Sequence, residues 1–197
     1  MKLVEEKEFV SEIKQIAEKH TGPFVVALDG RSGTGKTTLS RQIEKDLNAS
    51  VITCDDFYTG GTLENWAKKT PKEKAENVID WKRIRNEALI PLLNGRVATW
   101  HPFDWQTGFG LSEKVITCRP KKLIILDGAY SSRVELSELV NMSVLIELHD
   151  PTRRQRLKER EGEPFVESWH PVWDESEDYY FTQVRPPSSF DFVIRSL

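Results

Sequence analysis

The most constraining feature of this chain is the segment GRSGTGKT at residues 30–37, which fits the pattern GxxxxGK[ST]. A short apolar run, FVVALDG at residues 24–30, comes before it, and residues 36–47 follow with leucine and isoleucine at every fourth position. A strand, a glycine-rich turn and a helix in this order direct backbone N–H groups and the positive end of a helix dipole at a phosphate chain. The alternative is a glycine-rich turn that matches the pattern by chance, but such a turn would not require a strand before it and a helix after it. The segment therefore predicts a P-loop that binds a nucleoside triphosphate.

Each residue type in the loop suits that task. Glycine lets the backbone come close to the phosphates. Lys36 places a cation at the β- and γ-phosphates, and the Thr37 hydroxyl can bind Mg²⁺. The predicted nucleotide-binding residues are Gly30, Ser32, Gly33, Thr34, Gly35, Lys36, Thr37 and Thr38.

The other apolar segments predict an α/β fold. Together with residues 24–30, four more short runs predict five buried strands, at residues 50–54, 123–128, 143–148 and 192–196. Apolar spacing predicts helices over residues 3–20, 36–47, 64–93 (with a break near Ile90, before Pro91) and about 150–160, with Asp150 as N-cap. Residues 97–100 and 115–118 suit a β-ribbon, and the proline-containing stretch 161–190 suits partly irregular structure. We expect a five-stranded, mainly parallel sheet sandwiched by helices, with ligands at the carboxyl ends of its strands.

Composition excludes several classes. The chain has 28 Lys+Arg and 31 Asp+Glu, a net charge of −3, which argues against broad nucleic-acid binding. No apolar run approaches the roughly 20 residues of a membrane helix, and the charged N-terminus has no signal-peptide core, so we expect a cytoplasmic location. The two cysteines and four histidines have neither disulfide-framework nor zinc spacing. The length suggests a single domain over residues 1–197, and the sequence leaves its oligomeric state unknown.

The acidic pair Asp55-Asp56 after the second predicted strand narrows the reaction type. The chain has no NKxD guanine motif, and a long segment separates the acidic pair from the next sheet strand. A carboxylate at the sheet edge beside the γ-phosphate can orient and deprotonate an alcohol. A phosphotransferase with room for an acceptor therefore fits better than a simple switch.

These residues resemble uridine kinase-like P-loop kinases, a group that includes uridine–cytidine, nicotinamide riboside and pantothenate kinases. The resemblance spans about residues 24–195 and is carried by the P-loop, DDFY at 55–58, LIPLLNGRV at 89–97, HPFDW at 101–105 and LIILDG at 123–128. It implies one P-loop kinase domain with an acceptor-binding insertion at about 57–120 and a lid at about 150–165.

The resemblance also implies roles for the acids. Asp55, by its position in the DxFY motif, would be the base that accepts the proton of the acceptor hydroxyl, with Asp56 as second choice. Either could instead cap the following turn. Asp127 would hold Mg²⁺ with Thr37, where the family more often has glutamate; the alternative is a cap of the strand end.

Three more residues are implied to contact the acceptor. Tyr58 follows the acidic pair, and Phe103 and Asp104 match the family's Pro-x-Tyr-Asp element, with Phe103 in place of the tyrosine. Asp104 would bind an acceptor hydroxyl, or else form a turn. No histidine or arginine lies between Gln106 and Leu111, where nucleoside kinases of this group have them.

Arginines follow Asp150, and residues 153, 156 and 160 share one helical face. In this group a lid carries arginines that close on the phosphates, which implies Arg156 and Arg160 as catalytic residues beside Lys36 and Asp55. A solvated basic face is the alternative.

The resulting hypothesis is ATP- and Mg²⁺-dependent phosphorylation of a small-molecule hydroxyl, with a nucleoside as the first candidate. The acceptor could also be a vitamin precursor or sugar acid. The alternative from another class is an NTP-binding regulatory module that hydrolyses ATP slowly.

Overall fold

A computed structural model describes residues 1–196. Within that range six parallel strands form one sheet, in the spatial order β1-β8-β7-β2-β6-β3. The strands are β1 (Lys2–Val4), β2 (Phe24–Asp29), β3 (Ser50–Thr53), β6 (Leu123–Asp127), β7 (Met142–Leu148) and β8 (Phe192–Ser196). A separate antiparallel ribbon pairs β4 (Ala98–Trp100) with β5 (Ile116–Cys118). The α/β class and the ribbon are confirmed.

The predicted count of five sheet strands is wrong by one. The helix predicted over residues 3–20 starts later than expected, because residues 2–4 form edge strand β1, in which Lys2 pairs with Phe192 and Val4 with Ile194. Helix α1 (Glu6–Lys19) starts only after them. A three-residue edge strand is too short to show the two-residue period of a strand in the sequence. Its pairing partner lies at the other end of the chain, so no neighbouring segment indicates it either.

Residues 64–93 form several helices instead of one. They are α3 (Leu63–Ala67), α4 (Pro71–Asn77), α5 (Trp81–Arg83), a π-helical turn (Ile84–Leu89) and α6 (Ile90–Leu93). Thr70 forms a capping box that starts α4, with Pro71 in its first turn. The break expected near Ile90 is the π-helical turn directly ahead of Pro91, which has no N–H to continue regular pairing.

The segment after the basic helix is more regular than predicted. Helix α7 (Asp150–Glu161) has His149 at its N-cap position, so Asp150 is its first residue and not its cap. Helix α8 (Glu163–Tyr179) then runs through Pro171, and a π-helical turn (Tyr180–Val184) continues it. Helix α8 packs against α4, and its buried Trp173 and the following Tyr180 belong to the core. This burial stabilises a helix whose prolines alone would predict irregular structure.

Two apolar cores cover the faces of the sheet. Helices α1 and α2 (Lys36–Leu47) pack on one face, and the insertion with α8 packs on the other. Strands β2, β3 and β6 are neighbours and end at the same edge, since Asp127 pairs with both Leu28 and Thr53. The P-loop, the acidic pair and Asp127 are thereby brought to one edge. Within the described residues, no helix is both long and apolar enough to cross a membrane.

Candidate active site

The P-loop has the backbone shape that its glycines predict. Gly30 and Gly33 have φ values of 144° and 84°, and a Cβ on Gly30 would stand 2.5 Å from the Ile146 carbonyl oxygen. The Lys36 ammonium is buried and donates to the carbonyl oxygens of Gly30 (2.8 Å) and Arg31 (2.9 Å). A side chain at Gly30 would therefore clash, and the Lys36 ammonium is fixed by two carbonyl oxygens of the loop itself.

Asp29, which the sequence analysis did not single out, anchors this loop. Its buried carboxylate accepts from the backbone N–H groups of Gly30 (2.8 Å), Tyr130 (2.8 Å) and Ser132 (2.9 Å) and from the Tyr180 hydroxyl (3.0 Å). Burial raises the pKa of Asp29, and these hydrogen bonds oppose that shift. Asp29 thereby joins the P-loop to the segment after β6.

Asp29→Asn is expected to lower the free energy of unfolding by about 1–3 kcal/mol, because the amide leaves at least one buried N–H without an acceptor. Urea denaturation followed by circular dichroism measures this. The control is Asp46→Asn, at an exposed position on α2. Equal urea midpoints for the two variants would show that the four hydrogen bonds of Asp29 add no stability.

Asp55 lies at the centre of the carboxylates at this edge. Its side chain is exposed to the cleft, but the protein around it reduces its solvation and raises its pKa. The charges of Lys36 and Arg160 oppose this shift, whereas Asp127 and Asp56 add to it. Asp55 is therefore a carboxylate that is open to a ligand and is stabilised by the charges of two cations, Lys36 and Arg160.

The Asp56 side chain is hydrogen-bonded to the insertion and not directed at the cleft residues. Its carboxylate accepts from the Trp100 indole at 2.9 Å, and its backbone carbonyl accepts from the N–H of Phe103 at 2.7 Å. Burial raises its pKa, and the hydrogen bond from Trp100 lowers it. The geometry thus separates the acidic pair into one residue in the cleft and one that secures the insertion.

Asp127 and Thr37 fit a magnesium site. Asp127 is buried, and one carboxylate oxygen accepts from the Ser40 hydroxyl at 2.9 Å, while the other has no hydrogen-bond partner. Burial raises the pKa of Asp127, whereas the charge of Lys36 and the hydroxyl groups of Ser40 and Thr37 lower it. A buried carboxylate oxygen and a hydroxyl are ligands that Mg²⁺ accepts beside phosphate oxygens. Among the described residues no group of three or more acidic, histidine or cysteine side chains could hold a metal by itself.

Two cavities meet at Asp55. A polar cavity of about 500 Å³, the phosphate cavity, is lined by the P-loop, Asp55 and Asp127 and by Arg156 and Arg160 of α7. A more apolar cavity of about 540 Å³, the acceptor cavity, lies on the other side. Four residues line both cavities, namely Ser32, Asp55, Ala129 and Arg160. The shared wall places one carboxylate and one guanidinium at the boundary between a phosphate site and an apolar site.

The acceptor cavity has aromatic walls. Tyr58 stacks on Trp105, with ring centres 5.1 Å apart and planes at 17°, and Trp169 and Trp173 also line the cavity. Phe103 is buried behind Tyr58, at 4.8 Å. Of the predicted acceptor residues Asp55 and Tyr58 line this cavity, while Phe103 supports its wall.

Asp104 lies in a turn. Its carboxylate accepts from the backbone N–H groups of Gln106 (3.0 Å) and Thr107 (3.3 Å), and hydrogen bonds from Thr107 chiefly lower its pKa. It is not among the residues that line the acceptor cavity. The geometry favours the turn-forming alternative for this residue.

The arginines of α7 divide into two kinds. Arg153 is buried and connects the helix to the P-loop by donating to the Ser32 carbonyl oxygen (3.1 Å), while its ion pair with Asp150 (2.6 Å) lies within the helix. Arg156 and Arg160 are exposed and face the phosphate cavity, and a Cβ on Gly35 would stand 3.9 Å from Arg156 Nη1. The two arginines chosen from the sequence therefore line the phosphate cavity, where Arg160 also pairs with Glu161.

Helix α8 contributes residues that the sequence analysis missed. Glu177 accepts from the backbone N–H (2.9 Å) and the hydroxyl (2.7 Å) of Ser32, and Asp178 pairs with Arg31 at 2.5 Å. Nothing local signals these contacts, because 145 positions separate Ser32 from Glu177. Only the return of α8 over the loop creates them.

A third cavity, of about 570 Å³, begins at Thr34 and extends beside β7 between Arg31, His149, Phe181 and Pro187. Thr34 also lines the phosphate cavity. This position beside the P-loop, away from the acceptor cavity, suits the base and sugar of a nucleotide.

Comparisons with known proteins agree with this geometry. The family described as "AAA domain" matches residues 26–169. A uridine kinase of Macrococcus caseolyticus is 28% identical over 171 residues, covering 82% of this chain and 78% of the relative. A uridine kinase of Lactobacillus johnsonii is 26% identical over 170 residues, covering 83% and 78%. A solved structure from Bacillus stearothermophilus, described as a possible uridine kinase, superposes with a TM-score of 0.69 at 21% identity, covering 95% of this chain and 98% of that one.

Proposed function

The chain belongs to the AAA domain family and is a uridine kinase-like small-molecule kinase with a P-loop, and we propose that it transfers the γ-phosphoryl group of ATP to a hydroxyl of a small acceptor, with a nucleoside as first candidate. The observation that carries this proposal is the shared wall of the two cavities at Asp55 and Arg160. A switch needs a phosphate site, whereas a second, apolar cavity with a carboxylate at the junction serves an acceptor.

In this proposal ATP lies on the P-loop with its base toward the cavity beside Thr34. The Asp55 carboxylate accepts the proton of the acceptor hydroxyl, whose oxygen forms a bond to the γ-phosphorus. The bond from that phosphorus to the β–γ bridging oxygen breaks, and ADP leaves. Lys36, Arg156 and Arg160 neutralise charge that develops on the phosphoryl oxygens. Alignment across the shared wall supplies much of the rate.

Thr37 and the unpartnered oxygen of Asp127 would hold Mg²⁺ together with phosphate oxygens. The ion, when bound, supplies positive charge at the β- and γ-phosphates. Ser40 positions Asp127 by its hydrogen bond to the other carboxylate oxygen.

Asp127→Asn is expected to raise the Mg²⁺ concentration that gives half-maximal turnover by about tenfold, because one ligand loses its charge. Turnover is titrated with MgCl₂ at fixed ATP, and the Mg²⁺-dependent rise in melting temperature with ADP is measured in parallel. Asp46→Asn serves as the control. An unchanged Mg²⁺ requirement would remove Asp127 from the metal site.

The direct test is ADP release from Mg-ATP with a panel of acceptors: uridine, cytidine, nicotinamide riboside, pantothenate, glycerate and several sugars. We expect one class to raise ADP release well above the rate without acceptor, with the phosphorylated product visible by mass spectrometry. Slow hydrolysis that no acceptor changes would contradict the proposal and favour an NTP-dependent regulatory module.

A further inference from the structure

Glu177 has a second carboxylate oxygen that the P-loop does not use. One oxygen accepts both hydrogen bonds from Ser32, whereas the other is buried and has no hydrogen-bond partner. The residue is 2% exposed and lines the acceptor cavity. A buried carboxylate oxygen without a donor is costly, so a ligand that supplies one gains binding free energy there.

The charges around the acceptor cavity favour the same kind of ligand. The Arg160 guanidinium donates a hydrogen bond to the Glu161 carboxylate, whose other oxygen lies 2.8 Å from Nε2 of His170. The other carboxylates in the described lining are those of Asp55 and Glu177. A carboxylated acceptor would add a negative charge to a lining that already holds three carboxylates and one arginine, and like charges at close range are strongly unfavourable in a poorly solvated site.

The aromatic walls define the rest of the ligand. Trp173 contacts Trp66 and Trp169, with ring centres 5.1 and 5.6 Å apart, and Tyr58 stacks on Trp105 and meets Trp173 edge to face. Such walls bind flat or apolar faces and also attract cations. The aromatic side chains carry no positive charge that would attract an anion, and their unpartnered donors are neutral, the Trp173 indole N–H and the Tyr58 hydroxyl.

We infer that Glu177 determines acceptor specificity: its free oxygen receives an N–H or O–H donor, so the acceptor is an uncharged or cationic alcohol, and carboxylated alcohols are excluded. This inference deepens the proposed function and depends on the acceptor cavity that the function requires. Vitamin precursors and sugar acids with a free carboxylate are thereby disfavoured relative to their amide or alcohol forms.

The test uses pairs of acceptors in which one member has a free carboxylate and the other does not: nicotinate riboside with nicotinamide riboside, pantothenate with pantothenol, and glycerate with glycerol. Binding is measured by quenching of tryptophan fluorescence, since Trp105, Trp169 and Trp173 line the cavity, and turnover is measured separately as ADP release. In the unaltered protein we expect the uncharged or cationic member of a pair to bind at least about tenfold more tightly.

Glu177→Gln is the decisive variant. Its amide oxygen can keep both hydrogen bonds from Ser32, while its NH₂ group replaces the free carboxylate oxygen with a donor. We expect the preference within each pair to shrink by about tenfold, because a carboxylate can now accept from that amide. Ser32→Ala weakens the P-loop contact but leaves the free oxygen, so the preference within pairs should persist.

Five results are informative. A reduced preference in Glu177→Gln with a retained preference in Ser32→Ala supports the inference. Equal loss of affinity for both members of each pair would overturn it and leave Glu177 as a support of the P-loop. Equal or tighter binding of the carboxylated members, or no binding of any member, by the unaltered protein would also overturn it. Selective binding without any phosphoryl transfer would refute the proposed function while leaving the specificity of the cavity established.

Discussion

Asp55→Asn is expected to lower acceptor-dependent turnover by about 10²–10⁴-fold, because the amide cannot accept the hydroxyl proton. The affinity for ATP should change by less than about threefold, since Asp55 lies at the wall of the phosphate cavity and the P-loop remains intact. Turnover is measured as acceptor-dependent ADP release at saturating Mg-ATP, and nucleotide affinity by calorimetry with ADP.

The neighbouring acid supplies a matched control. In Asp56→Asn the amide oxygen can still accept from the Trp100 indole, which holds the insertion in place. This variant should keep acceptor-dependent turnover within about tenfold of the unaltered protein, a bound wide enough for a weakened hydrogen bond. A larger loss in Asp56→Asn than in Asp55→Asn would reverse the assignment of the base.

The second large effect is expected for Lys36→Met, which should lower turnover by at least about 10³-fold. The ammonium is buried between the carbonyl oxygens of Gly30 and Arg31 and acts on the charges of both Asp55 and Asp127. Its removal takes away a cation at the β- and γ-phosphates and a charge that stabilises both carboxylates, so phosphate binding and charge stabilisation are weakened together.

Lys45→Met is the corresponding control, because Lys45 lies on the same helix and is exposed. It should bind ADP and turn over as the unaltered protein does. Retention of more than a tenth of the turnover in Lys36→Met would show that another cation, such as Arg156, carries the phosphate interaction.

Much of the phosphate site was predictable from the sequence. The phosphate site depends on the backbone conformation of the P-loop and on the N-terminus of the helix that follows it. Both are local properties of eight consecutive residues, which include Lys36 and Thr37. The edge location of Asp55 and Asp127 also followed, because polar residues directly after buried parallel strands converge at one sheet edge. For that reason the structure finds these carboxylates in the predicted neighbourhood.

Only the resemblance to the DxFY motif, and not residue chemistry, favoured Asp55 over its neighbour Asp56. Asp55 and Asp56 are chemically identical and adjacent, and only the packing of Trp100 against one of them leaves the other in the cleft. In the same way, the N–H groups of its own turn occupy Asp104, which the resemblance pointed to as an acceptor ligand.

By itself the sequence determined the phosphate site, the α/β class and the edge of the sheet at which chemistry takes place, because each depends on contiguous residues or on a repeating apolar pattern. Only the tertiary structure decided how that site is supported and what lies opposite it. Asp29 meets Tyr130 and Ser132 across more than 100 positions, and Glu177 reaches the P-loop across 145. A hydrogen bond across such a distance has no local pattern, since it exists only after the sheet has formed and α8 has packed over it.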